Sequence, residues 1–299
     1  MPERERLEVA DALVAQGRRD DAERLLRALA KRGGAYSTPT DRLVYLWGPR
    51  PPVPALSWVA ARAKESKAPE ERSEWLRRLA EIGGAATAFA MIVQNAAAAT
   101  PAEALLAAET APGLPDRAMA LAGVRRLAEI TRDPRALTAL GDAAETFGDK
   151  QTAYLARAGA VRAQPNDAAA LRAYGFAAAS VGRKAEAYDA LQRYVRLRPN
   201  DAEASMDLGY AAMEARRFAD AAATFTAAAR AFRQARRDET PARLAAADAL
   251  RQAGQTDAAL SALAALDRER PSDPRARAAY VEALLNAGKP EEARRALNR

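Results

Sequence analysis

Apolar positions recur along this chain with helical spacing. Leu7, Val9, Ala10, Leu13 and Val14 share one face, Gly17 interrupts it, and Ala22, Leu25, Leu26 and Leu29 resume it before Gly33-Gly34. This pattern predicts a helical hairpin over 3–30. From Pro134 the pattern becomes regular. Gly141, Gly175 and Gly209 stand 34 residues apart, as do Gly148 and Gly182, Pro165 and Pro199, and Ala153, Ala187 and Ala221. Several ladders of one period predict a solenoid in which each unit buries its apolar face against its neighbours. Each unit reads as helix A with a small residue at its eighth position, a break at the fifteenth and helix B with Ala at the twentieth. The glycine at the break supplies a left-handed cap, and Asn or Asp of the triplets at 165–167 and 199–201 caps the next helix A.

Residues 35–133 keep helical character and lose the period. Thr40–Trp47 reads as a short apolar turn ended by GPRPPVP, whose prolines forbid helix. Helices are expected near 53–65, 70–82, 85–98, 101–109 and 115–131. Trp58 and Trp75 fall on apolar faces and read as core. The organisation predicted is a hairpin over 1–34, degenerate hairpins continuing the stack over 35–133, and a regular array over 134–299 with units near 134, 168, 202, 240 and 274. Ala, Arg, Leu and Glu dominate while β-branched residues are sparse, which makes the fold class all-α.

The residues that carry the period resemble the tetratricopeptide repeat. In the unit from Ala168, Leu171, Tyr174, Gly175, Ala178, Gly182, Ala187, Leu191 and Pro199 fall on its motif. Leu208, Gly209, Ala212, Phe218, Ala221 and Phe225 do so in the next. After the extra RRDE at 236–239 the register resumes at Gly254, Ala259, Leu263 and Pro271, then Tyr280, Leu284, Gly288, Ala293 and Leu297. Arg157 departs from the motif, which wants a large apolar residue there; Tyr154 and Leu155 are expected to fill that space. The resemblance implies an α-α superhelix of right hand whose concave face is lined by helix A and receives peptides or protein segments. Positions of helix A that point away from helix B include Arg172, Phe176, Met206, Tyr210, Met213, Asp248 and Arg251, the candidate partner-binding groove; the alternative is that Phe176, Met206 and Tyr210 pack between adjacent A helices. Arg135, Asp142 and Glu145 precede them. Some members of the family hold a C-terminal carboxylate in a clamp of Lys, Asn and Arg. Thr138, Asp142, Arg172, Phe176 and Met206 occupy those positions, so no such clamp is expected.

Composition narrows the chemistry. The chain has no Cys and no His, which removes disulfides, thiolate or imidazole metal ligands and His-based triads. No phosphate-binding glycine loop, HExxH or GxSxG occurs, and the carboxylates Asp142 and Glu145 sit at a spacing common on solvated helices. No enzyme, cofactor or metal is expected. Lys and Arg number 46 against 39 Asp and Glu, a formal charge of +7. The signs are interspersed, so the alternative to a protein-interaction scaffold, electrostatic binding of an acidic polysaccharide or nucleic acid, requires clustering that the sequence lacks. DNA is not expected as a partner. The longest apolar stretch, around 85–99, is broken by Gln94 and Asn95 and is too short to span a bilayer. The start lacks a signal-peptide pattern. The last unit runs out inside helix B without a polar closing helix, so a piece of a longer repeat protein is expected. In style the chain is similar to bacterial envelope repeat proteins of polysaccharide export, which implies a periplasmic location; otherwise the expectation is cytoplasmic.

Overall fold

The computed structural model describes residues 2–298. It is all helical, with no strand among the described residues, and the chain divides into two compact units with the boundary between Ala163 and Gln164. The 34-residue register does not respect this division, since Gly141 and Gly175 lie on opposite sides of it.

The first unit holds α1 (Glu3–Ala15), α2 (Arg19–Gly33), α3 (Thr38–Trp47), α4 (Val53–Glu65), α5 (Pro69–Leu79), α6 (Ala85–Gln94), α7 (Pro101–Thr110), α8 (Arg117–Ile130), α9 (Pro134–Thr146) and α10 (Lys150–Ala163). Two local expectations need correction. The apolar segment before the prolines is a helix, α3. Pro39 sits in its first turn, where its missing N–H is no loss, and Leu43 and Leu46 are buried. The helix expected over 85–98 ends at Gln94, because Asn95 turns its side-chain amide back onto the Met91 carbonyl at 3.0 Å. The chain's three tryptophans form one edge-to-face row, Trp47–Trp58 at 6.2 Å and Trp58–Trp75 at 5.8 Å between ring centroids. Trp75 is fully buried. Trp58 is half-buried, with the Arg27 and Arg62 guanidiniums each 5.6 Å from its ring.

The second unit is a run of A/B pairs: α11 (Ala168–Ser180) with α12 (Lys184–Leu197), α13 (Ala202–Glu214) with α14 (Phe218–Gln234), α15 (Thr240–Gln252) with α16 (Thr256–Glu269), and α17 (Pro274–Asn286) with α18 (Pro290–Leu297). Loops this short make each pair antiparallel. The small residue at the eighth position of helix A lets the pair close. A Cβ on Gly175 would stand 2.7 Å from the Leu191 side chain, and one on Gly209 would overlap the Phe225 ring. Helix α14 has 17 residues where α12 and α16 have 14, and the RRDE insertion at 236–239 follows it. The insertion brings Glu239 to a buried position, 3.4 Å from Arg233 and 3.2 Å from Arg270.

The caps are aspartates, not the neighbouring asparagines. Asp133, Asp167 and Asp201, again 34 apart, accept from the N–H of Ala136, Ala170 and Ala204 at 2.8, 2.9 and 3.0 Å. Burial alone would raise the Asp201 carboxyl. The Ala204 N–H and the Tyr194 hydroxyl, 2.8 Å away, outweigh it and hold the group below the ordinary carboxylate range. A depressed folded-state pKa stabilises above the unfolded value of about 4 and the contribution is lost as pH falls through the lower folded value. Asp201→Asn is therefore expected to flatten the fall in Tm below about pH 4. A melt series in acid whose slope matches wild type would refute this.

At the break between helices, Gly148, Gly182, Gly254 and Gly288 adopt φ of 80°, 78°, 77° and 72°. The same position in α13–α14 is Arg216 at φ 58°, a left-handed conformation costing a side-chain-bearing residue about 1 kcal/mol. Arg216→Gly is expected to stabilise the second unit by about 0.5–1 kcal/mol, allowing for the lost contact with Phe218 and the freer unfolded chain. Urea unfolding followed by circular dichroism checks it; a lower midpoint would contradict it.

No helix among the described residues is long and apolar enough to cross a membrane.

Candidate functional site

Seven residues on the A helices of the second unit were expected to line a groove. In successive units the ninth position of helix A carries Phe176, Tyr210, Asp248 and Glu282. Phe176 is 43% exposed and Tyr210 54%. Each ring has a close neighbour. The Arg172 guanidinium lies 5.5 Å from the Phe176 ring and 6.0 Å from that of Tyr194, with Asp207 at 3.4 Å. Burial pushes the Asp207 carboxyl above the ordinary carboxylate range, and the Arg172 contact opposes that shift. Tyr210 meets Phe225 edge-on, ring centroids 5.1 Å apart and planes at 71°. These contacts favour the observed rotamers of two exposed rings.

Met206 is different. It is buried, 8% exposed, in the core cluster that includes Tyr188, Leu208 and Phe225. One thioether fills the gap between neighbouring helices, as flexible Met side chains do, so Met206 supports the surface without forming it. Met213 is half-buried against the same cluster.

Asp248 and Arg251 pair with each other at 2.6 Å, and Gln252 donates to Asp248 at 2.9 Å. They stand on the rim of a pocket of about 300 Å³ between α15, α16 and α17. Its floor is apolar, from Leu244, Ala247, Leu260, Leu263 and Ala283, and its rim is completed by Glu282 and Asn286. Glu282 was missed, although its 34-residue offset from Asp248 marks it. Ala247 stands where Gly209 stands one unit earlier.

In the first unit the expected groove carboxylates are engaged. Arg157 occupies the register of Leu191 and Phe225, and it fills that space itself. Its stem packs 3.1 Å from where a Gly141 Cβ would be, and its guanidinium reaches Asp142 at 2.8 Å and Glu145 at 2.5 Å. Leu155, expected to fill the space, is 52% exposed. The aliphatic stem substitutes for an apolar side chain because the guanidinium at its end, buried itself, is neutralised by the exposed carboxylates of Asp142 and Glu145. No group of three or more Asp and Glu among the described residues is placed to hold a metal.

Residues 175–236 and 250–299 each match a family model described as tetratricopeptide repeat. Over these two segments the chain consists of tetratricopeptide repeats. No curated protein matches the sequence. Among solved structures, a crystal structure of MamA is 22% identical, covers 55% of this chain and 88% of its own, and has a TM-score of 0.46. MamA from Desulfovibrio magneticus RS-1 is 17% identical over 55% and 91%, TM-score 0.44. YrrB, described as a TPR protein with an unusual peptide-binding site, is 19% identical over 67% and 96%, TM-score 0.44. The matched tetratricopeptide segments contain Phe176, Tyr210 and the rim residues Arg251 and Glu282, and Asp248 falls between them.

Proposed function

We propose that the second unit of this tetratricopeptide-repeat protein is a protein-interaction module that holds a segment of a partner across its A-helix face. The observation that carries this reading is the pair Phe176 and Tyr210. They are large rings at the same repeat position on successive A helices, exposed and each in contact with a neighbour, Arg172 for Phe176 and Phe225 for Tyr210. Exposed aromatics held in one rotamer contribute contact area at little entropic cost, which is why such side chains concentrate binding energy. The role is recognition, and the residues assigned to it are Arg172, Phe176, Tyr210, Met213, Asp248 and Arg251, with Met206 beneath them. Affinity capture from the source cell with mass spectrometry tests the reading. The double substitution Phe176→Ala/Tyr210→Ala, with unchanged circular dichroism, is expected to remove the captured partners. An unchanged partner set would overturn the proposal.

A further inference from the structure

The chain as a whole is basic, which points to an anionic partner, but the charges left open on the A-helix face have the opposite sign. Arg172 is occupied by Asp207 and Arg251 by Asp248. Glu214 and Glu282 are exposed, and neither has an ion-pair partner among the described residues. The ninth-position ladder changes character along the unit, from the rings of Phe176 and Tyr210 to the carboxylates of Asp248 and Glu282. At its acidic end lies the pocket of about 300 Å³, apolar in its floor and carboxylate-bearing at its rim. That volume holds one large aliphatic or aromatic side chain.

We propose that the segment bound here is cationic and directional. One Leu, Met or Phe side chain enters the pocket between α15, α16 and α17, a Lys or Arg beside it pairs with Glu282, and further apolar side chains lie over Tyr210 and Phe176. This rests on the groove reading above and names the chemistry of its occupant. A cation brought to Glu282 gains a partner without displacing one, whereas an anion would face an open carboxylate beside an Asp248 already satisfied by Arg251 and Gln252. The apolar anchor contributes affinity, and the charge sets direction and selects against acidic segments.

The test selects phage-displayed random dodecapeptides on the full chain, then measures the enriched peptides, fluorescently labelled, by anisotropy against wild type, Glu282→Lys and Phe176→Ala/Tyr210→Ala. Expected are peptides with Lys or Arg next to a large apolar residue, bound on the order of tenfold more weakly by Glu282→Lys. Their affinity should also fall as salt rises. Neutral or acidic winners, or basic winners indifferent to Glu282→Lys, overturn this proposal. If such peptides still depend on Phe176 and Tyr210, the groove reading survives. Binders indifferent to both sets of substitutions, or no enrichment at all, overturn both.

Discussion

Glu103→Ala is expected to destabilise the first unit by about 3 kcal/mol, the low end of the range for breaking a buried ion pair. Glu103 is 2% exposed and its carboxylate is fully engaged. Arg72 donates to it from Nε at 2.7 Å and Nη2 at 2.9 Å, the Thr100 N–H at 3.0 Å, and the Ser73 hydroxyl at 3.3 Å. The Glu103 N–H returns a bond to Thr100 Oγ1 at 3.1 Å, closing a capping box at the start of α7. Truncation removes the carboxylate half of the capping box, the acceptor of the Thr100 N–H, while Thr100 Oγ1 still caps the helix, and it leaves Arg72 with the Ala98 carbonyl, 2.9 Å away. Arg72 keeps a 26% exposed side chain and can recruit water, which holds the loss to the low end. Arg72→Met is expected to cost more, because it strands a carboxylate with almost no access to solvent. The double variant should lose less than the sum of the singles, by at least about 1 kcal/mol. Urea unfolding read by tryptophan fluorescence isolates the first unit, since Trp47, Trp58 and Trp75 all lie in it. A loss under about 1 kcal/mol for Glu103→Ala would refute this account.

This pair also shows where sequence reading stops. Thr100 and Glu103 have capping-box spacing, but nothing in the sequence connects Arg72 to them across 31 positions. Regular elements were legible because the 34-residue ladder repeats a local cause: a small residue for close approach, a glycine at positive φ, an aspartate cap. The ladder also located Phe176 and Tyr210, since a fixed register fixes which side of helix A a residue occupies. It failed where burial depends on a neighbour's shape. Met206 has the register of a surface residue and is drawn inward because adjacent helices leave a gap that an unbranched side chain fills. Arg157 has the composition of a surface residue and the position of a core one, and it satisfies both through Asp142 and Glu145 on the facing helix. The irregular stretch between α3 and α8 is held by its tryptophan row and by the Arg72–Glu103 pair, which are long-range devices with no period to betray them.

Phe225→Ala is expected to cost the second unit about 4 kcal/mol, the cost of emptying a core ring site. Phe225 is 1% exposed, lies over Gly209 and braces Tyr210. Phe225→Leu should cost only about 1 kcal/mol, because Leu191 and Leu263 fill the same register in neighbouring repeats and the helix pair already accommodates that shape. Gly209 makes the account sharper. In the wild-type background, Gly209→Ala drives a methyl into the Phe225 ring and is expected to destabilise by about 2 kcal/mol. In the Phe225→Ala background the ring is gone, so the same change should become favourable by up to about 1 kcal/mol, the helix preference for Ala over Gly. This reversal of sign, read from urea midpoints by circular dichroism, separates a packing role for Gly209 from a purely conformational one. A Gly209→Ala effect of the same sign in both backgrounds would refute the contact. Phe225 also links stability to recognition. With its edge partner missing, Tyr210 loses the contact that fixes its ring, so Phe225→Leu, which stays folded, should weaken partner binding while Tyr210 itself is intact.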